Sequence, residues 1–356
     1  MRMRLSNAFF YTRLIFLIGC LASAYTFAEE RTLIAFGSCS HQDKPLNILS
    51  TIAREKPDAM LFLGDNVYGD TDDFDVLVKK YETLGNNPNF KTLKRGTRIH
   101  AIWDDHDFGL NDGGKAFEFK AQAKVAFLDF WQVPKNDLRY KQDDGIYHSQ
   151  WLRNDNGRTV HIIFPDLRWN RDDIQSVGRL DYMAKRKPKN MGPYSHDETK
   201  QKTMLGRQQW TWLEAELAKP ADIKILASSL QVLSDHTGWE AWKNFPYDFE
   251  RLSKNIQQNK LDNMLLISGD THWAEISKQT LTNGQTLWEV TSSGLSEEWK
   301  AISPNKHRAS EAYYKNNYGL IDVRWGHDKA DVLFGFKDIN GEYVSKKALN
   351  LKLDAH

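Results

Sequence analysis

The chain has 356 residues, 40% of them apolar and 12% aromatic, which is enough to fill a core and excludes a disordered polymer. A formal charge of +1 offers no field for a polyanion and excludes nucleic acid as the principal partner. With two cysteines, Cys20 and Cys39, the chain also has no disulfide framework to lean on.

The first 28 residues read as a signal for export: Arg2, Arg4 and Arg13 give a positive start, LIFLIGCLASAY an apolar stretch, and TFA a small-residue site before Glu29. No twin-arginine pair is present, so the expectation is a Sec-type route to the periplasm or beyond. The apolar stretch is too short for a comfortable membrane span, and nothing later is apolar enough for one. A second reading takes LIGC as a lipobox, with Cys20 acylated as a lipid anchor. On the first reading residues 29–356 form one domain, and loss of three arginines takes the net charge from +1 to −2. Cys39 is then a thiol without a partner in an oxidising compartment, either inert in the core or kept for chemistry.

Along the chain, short β-rich runs alternate with helical patterns. TLIAF (32–36) precedes a helix over 46–55, AMLFL (59–63) precedes a polar helical stretch from about Asp73, and RIHAIW (98–103) precedes helical spacing over 115–131. TVHIIF (159–164) is strand-like, LGRQQWTWLEAELA (205–218) is a helix, and IKILASS (223–229) and NMLLISGD (263–270) are strands. From Trp288 onward TLWEVTSS, YGLIDVRW and DVLFGF are strand-rich and predict a sheet finished by hairpins. Residues 169–204, which contain KRKPK (185–189), lack apolar periodicity and read as a long excursion over one face. The expected class is α/β.

In open α/β sheets ligands collect beyond the carboxyl ends of the strands. Here those ends run into GSCSH, GDNVYGD, DDHDFGLNDGG, PDLR, SLQ and GDTHW, so four of six turns carry Asp and two pair it with His. One Gly-Asp is an ordinary turn and one Cys an ordinary small hydrophobe. Six successive strand ends with this chemistry are not ordinary, because carboxylates gathered on one edge repel unless cations sit between them. Asp65 and Tyr68 lie three apart in one turn, Asp270 and His272 alternate along extended chain, and Cys39 faces the same edge as a thiolate. A carboxylate has two oxygens, so Asp65 can bridge two metals roughly 3.5–4 Å apart, a geometry suited to phosphate-ester hydrolysis. Thiolate, phenolate and imidazole from Cys39, Tyr68 and His272 favour a transition metal, ferric iron over zinc, whereas the oxygens of Asp65, Asn111 and Asp270 suit calcium. His106, with Asp105 or Asp107 orienting it, is the expected acid for the leaving oxygen, and Arg168 the expected clamp on a phosphate oxygen.

Taken in order, FGSCS, GDNVYGD, WDDHDFGLND, DLR, LGRQQWTWLEAEL, SSLQVL, GWEAWKNFP, SGDTHWAEIS and EVTSSGL cover most of residues 33–295 and resemble the PhoD-like alkaline phosphatases of the calcineurin-like metallophosphoesterases. The resemblance implies a four-layer αββα sandwich of two mixed sheets, Fe3+ with Ca2+ (Zn2+ or another divalent metal as substitutes), and hydrolysis of a small phosphate mono- or diester outside the cytoplasm. Cys39, Asp65, Tyr68, Asn111, Asp270 and His272 match its metal positions, and Arg168 its phosphate-site arginine. Two departures stand out. Cys39 occupies the place of the superfamily's opening Asp-x-His, and Asp-Asp-His-Asp replaces Asn-His-Asp/Glu, which leaves the role of Asp105 open. A phosphodiesterase acting on lipid, nucleotide or wall-polymer diesters, and a non-catalytic metal-binding envelope protein, are the competing accounts.

Overall fold

The computed structural model describes residues 30–199 and 201–353; the signal reading of residues 1–28 and the anchor reading of Cys20 lie outside the described residues. Two six-stranded sheets form the frame. In chain order the strands are β1 (Glu30–Gly37), β2 (Ala59–Leu63), β3 (Arg98–Ile102), β4 (His148–Arg153), β5 (Thr159–Phe164), β6 (Ile223–Ala227), β7 (Met264–Ser268), β8 (Ala274–Thr280), β9 (Thr286–Ser292), β10 (Asn317–Trp325), β11 (Lys329–Asp338) and β12 (Tyr343–Lys352). The first sheet runs β12-β11-β10-β1-β2-β3 and the second β4-β5-β6-β7-β9-β8.

Helices cover the outer faces. With the first sheet go α1 (Asn47–Glu55), α2 (Phe74–Asn86), α3 (Pro88–Gly96), the single turn α4 (Asp105–Phe108) and α5 (Lys120–Phe130); after the short α6 (Arg179–Asp181), α7 (Gly206–Ala218) and α8 (Pro246–Gln258) cover the second. The period of two along a strand explains the layering. Ile162 and Phe164, Ile225 and Ala227, and Leu265 and Ile267 join the core shared with the first sheet, whereas the intervening Ile163, Leu226 and Leu266 join the cluster under α7 and α8. The architecture is the expected four-layer sandwich of mixed sheets.

Three local outcomes differ from the sequence reading. The helix expected over 115–131 starts only at Lys120, because Phe117 and Phe119 pack sideways into the core and the Lys115 N–H donates to Arg171 across the loop. Strand β4, HSQWLR, has no clear alternation to betray it, being an edge strand with one buried residue. Strands β8 and β12 likewise lack the continuous apolar run that marks β5 or β7. Among its described residues the excursion over 169–204 carries short helical turns and an isolated bridge between Ser176 and Tyr194.

Strands β1, β2 and β3 are parallel, as are β5, β6, β7 and β9, so seven strand ends discharge their loops toward one rim. The two sheets touch there. A Cβ on Gly269 would lie 2.4 Å from Ser38 Oγ, so only glycine lets the turn after β7 approach the turn after β1. The Asp270 N–H then donates to Ser38 Oγ at 3.2 Å, and the Leu295 and Ser296 N–H groups donate to the carbonyls of Ser38 and Cys39.

Candidate metal centre

Each strand end presents its polar side chain by bending backward. Cys39, Asp65, Asp270 and His272 have φ of 63°, 49°, 73° and 60°, all in the left-handed region that residues other than glycine avoid. Such conformations cost of order 1 kcal/mol each and persist where surrounding structure holds them for a purpose.

The bends bring distant residues together. Cys39 Sγ lies 3.3 Å from Asp65 Oδ2 and 3.2 Å from Ser293 Oγ, and the sulfur, an Asp65 oxygen and a His272 ring nitrogen all fall within 4.8 Å of one another. Tyr68 joins through its hydroxyl, 3.1 Å from His272 Nε2, with its ring 4.2 Å from that of His106. On the other side of Asp65 the donors are oxygens. Asp65 groups with Asp105 and His106, and Asp104 and Asp105 group with Asp270, again within 4.8 Å.

The electrostatics of this cluster ask for cations. Burial, then Asp105, Asp104, Asp107 and Asp270, push the Asp65 carboxyl well above the usual range, and burial with Asp104, Glu240 and Asp105 does the same to Asp270. Burial and the charge of Asp65 raise the Cys39 thiol well above its ordinary value. Desolvation lowers His272 to about 4, so its imidazole is neutral and can act as a ligand. Buried oxygens Asp65 Oδ1, Asp104 Oδ2 and Asp105 Oδ1 have no hydrogen-bond partner. Unpartnered carboxylate oxygens beside a thiol, a phenol and a neutral imidazole fit metal ions. A sulfur- and nitrogen-rich side and an oxygen-rich side meet at Asp65.

His106 sits at the rim with Nδ1 2.8 Å from the Asp70 carboxylate. Burial opposes its protonation, but the Asp70 hydrogen bond and the charges of Asp105, Asp70 and Asp104 outweigh it and raise His106 to about 9. The sequence reading gave the orienting role to Asp105 or Asp107. The structure assigns it to Asp70, because Asp107 is buried beneath α4, accepting from the Asp104 N–H at 2.7 Å and from Asn66 Nδ2. Asp105 faces the cluster, with Oδ2 taken by the Asp112 N–H at 2.8 Å and its carboxyl held at about 2: burial opposes ionisation, and Arg168 leads the groups that favour it.

Two residues are placed differently from expectation. Arg168, expected as a clamp on phosphate, is fully buried and spent on protein carboxylates: Nε donates to Asp104 Oδ1 at 2.5 Å, Nη1 and Nη2 to Glu240 at 3.0 and 2.8 Å, and Nη2 lies 3.7 Å from Asp105. A guanidinium in a dry wall satisfies its donors on the nearest carboxylates, so it holds the wall instead of offering itself at the rim. Asn111 is exposed on its turn, whereas its neighbour Asp112 groups with Asp105 and Glu240. Asp70, Asp104, Asp112, Glu240 and Ser293 are the participants the sequence reading left without roles. Asp70 and Glu240 lay within quoted motifs, but nothing local distinguishes a rim carboxylate from a turn or helix-cap one.

A family model described as PhoD-like phosphatase matches residues 34–325. Among solved structures, one described as the structure of PhoD aligns with a TM-score of 0.67 at 17% identity, covering 88% of this chain and 72% of its own. A dimetal phosphatase from Danio rerio aligns at 0.51 and 14% identity, covering 91% and 99%. GAP50, described as the anchor in the inner membrane complex of Plasmodium, aligns at 0.52 and 12% identity, covering 90% and 89%. At such identities these likenesses speak for the fold, and no curated protein sequence matches significantly. The family match spans most of the chain, including every strand-end motif from Cys39 to His272, and the chain belongs to the PhoD-like phosphatase family, a metal-dependent phosphoester hydrolase.

Proposed function

We propose that the chain is an exported phosphatase D-like hydrolase whose centre holds two metals with Asp65 shared between them. The observation that carries this reading is the place of Asp65 between the donor group it forms with Cys39 and His272 and the carboxylate of Asp105, which in turn groups with Asp104 and Asp270. Donor chemistry supports ferric iron on the side of Cys39, Tyr68 and His272, and calcium among Asp65, Asp270 and the neighbouring oxygens, Asn111 being available from the exposed turn. Zinc or another divalent ion is the alternative occupant. Export rests on the signal read in residues 1–28.

Bound metals supply a nucleophile from water and neutralise charge on the phosphoryl oxygens. The protein's own groups do the rest. Cys39, Asp65, Asp270 and His272 are held in their bends at the rim. Asp70 fixes Nδ1 of His106, leaving Nε2 to give a proton to the departing oxygen. Arg168, tied to Asp104 and Glu240, keeps Asp105 ionised and aimed at the cluster.

A preference for diesters follows from Arg168. A monoester dianion calls for additional cationic contacts, and the guanidinium that would give one is already spent. The fold alone does not decide between an enzyme and a metal-binding protein without catalysis; the clustered donors and the His106–Asp70 pair support catalysis.

Protein purified without chelators is analysed for iron, calcium and zinc per chain and assayed on p-nitrophenyl phosphate and bis-p-nitrophenyl phosphate. One iron and one calcium with hydrolysis lost in Asp65→Asn are expected. Unchanged turnover in Asp65→Asn, or none by wild type with any of these metals, overturns the reading.

A further inference from the structure

A cavity of about 260 Å³ lies between the loop over 186–198 and the loop over 234–244. The loops are fastened to each other: Gly192 N–H donates to the Thr237 carbonyl at 3.0 Å and Tyr194 N–H to that of Gly238 at 2.8 Å. Gly238, at φ +74°, would put a Cβ 2.5 Å from the Gly192 carbonyl oxygen, so the close approach depends on its lack of a side chain. The cavity is therefore preformed.

Its lining is cationic and polar. Lys243, Lys306, Arg186 and His196 stand against the acids Asp235 and Glu198. Asp235 lies 3.5 Å from Lys306 Nζ and 3.3 Å from His196 Nε2, which positions both side chains without enclosing either. Lys243 Nζ donates to Gln279 Oε1 at 2.9 Å and lies over the face of Phe249. Ser234, 1% exposed, lines the same cavity with an Oγ that has no hydrogen-bond partner. A buried hydroxyl left without a partner costs about 1–3 kcal/mol, so its presence in a polar cavity points to a group that completes it.

The cavity shares a wall with the metal-side rim. Tyr194 lines it and donates its hydroxyl to Asp112, while Trp239 lines it and packs edge-on at 6.3 Å against Trp299, whose N–H donates to the His272 carbonyl. We propose that this cavity is a second substrate subsite, taking an anionic substituent carried by the ester whose phosphorus lies at the metal centre. The inference rests on the hydrolase reading and adds to it the chemistry of the non-reacting arm. The volume holds a carboxylate- or phosphate-sized group with a short linker, given roughly 30 Å³ for each water displaced. Lys243, Lys306 and the Ser234 hydroxyl are the expected contacts.

The test uses two p-nitrophenyl phosphodiesters whose second arm ends either in a carboxylate or in the matching carboxamide, with metal-loaded enzyme. Wild type is expected to show a KM about tenfold lower for the carboxylate, the size of one charge-assisted contact. In Lys243→Met/Lys306→Met the ratio falls to about one; Lys306→Met alone, at a side chain 61% exposed, removes one contact without touching the core and lowers the ratio part-way. A wild-type ratio of one, or a ratio that survives the double substitution, overturns the subsite while leaving the hydrolase reading intact. No turnover of either diester or of p-nitrophenyl phosphate overturns both.

Discussion

Cys39 Sγ and Asp65 Oδ2 lie 3.3 Å apart although 26 residues separate them, and both backbones are bent into the left-handed region. Burial raises both groups, so ionising them side by side on strained turns becomes favourable only when a cation sits between them. Asp65→Asn in chelated protein removes a buried carboxyl whose ionisation is opposed by burial and by Asp105, Asp104 and Asp270. The metal-free variant is expected to be more stable than metal-free wild type by about 1–2 kcal/mol, a rise of roughly 2–6 °C in Tm. With metal restored the order reverses, because only wild type gains binding energy. Thermal melts with and without chelator check this, and a lower Tm for the chelated variant would count against stored repulsion.

Arg168 and Glu240 make the opposite case. The guanidinium is fully buried and bonded to both Glu240 oxygens, and Arg171 Nη1 reaches the same carboxylate at 2.5 Å. Removing one member of a buried pair leaves an uncompensated charge. Glu240→Gln is expected to lower stability by about 3 kcal/mol, measured as a shift in the urea midpoint at unchanged m-value. Arg168→Lys restores the charge without the fork and recovers less than half of the stability lost in Arg168→Met. A midpoint unmoved in Glu240→Gln would show that the wall does not depend on the pair.

The sandwich, and the gathering of Cys39, Asp65, Asp270 and His272 at one edge, were legible in the sequence for the same reason. Buried parallel strands are continuous apolar runs such as AMLFL and MLLIS, and the polar residue that ends each run falls at the sheet edge. Edge strands β4 and β12, half exposed, carry no such signal. The destination of Arg168 was illegible because a single arginine after a strand reads alike whether it faces solvent or a carboxylate wall; Asp104 and Glu240, 64 and 72 residues away, decide it. Asp70 shows the same limit. Its pairing with His106 depends on how two turns pack, which their separate motifs do not encode.

That pairing makes a kinetic prediction. Asp70 holds Nδ1 of His106, and in the proposed mechanism this leaves Nε2 for the leaving oxygen. General acid catalysis contributes about 10²–10⁴-fold, and it matters most when the departing alkoxide is poor. Asp70→Asn is expected to slow hydrolysis of an alkyl phosphodiester by about a hundredfold and that of a p-nitrophenyl diester by less than about threefold. Equal losses on the two substrates would remove His106 from the acid role and leave it a structural neighbour of Tyr68.

His100 on β3 sets a limit on stability in acid. Its Nε2 has no hydrogen-bond partner, its ring lies 6.5 Å from that of Phe164, and Arg98 and Arg139 add positive charge nearby. Burial, then those arginines, lower it from 6.5 to about 4. Protonation is thus easier in the unfolded chain than in the folded one, so between these values the unfolded state binds more protons and stability falls as pH falls. The loss attributable to this residue begins near pH 6.5 and is complete near pH 4, amounting to about 3 kcal/mol. His148, half-buried on β4 of the second sheet, is also lowered by desolvation, so it steepens the same limb. His100→Leu removes one of the two. Urea midpoints of chelated wild type and variant, compared at pH 7.5 and pH 4.5, are expected to diverge, with the variant losing less stability on acidification by most of that amount. Parallel losses would mean that His100 is already protonated, or solvated, in the native fold.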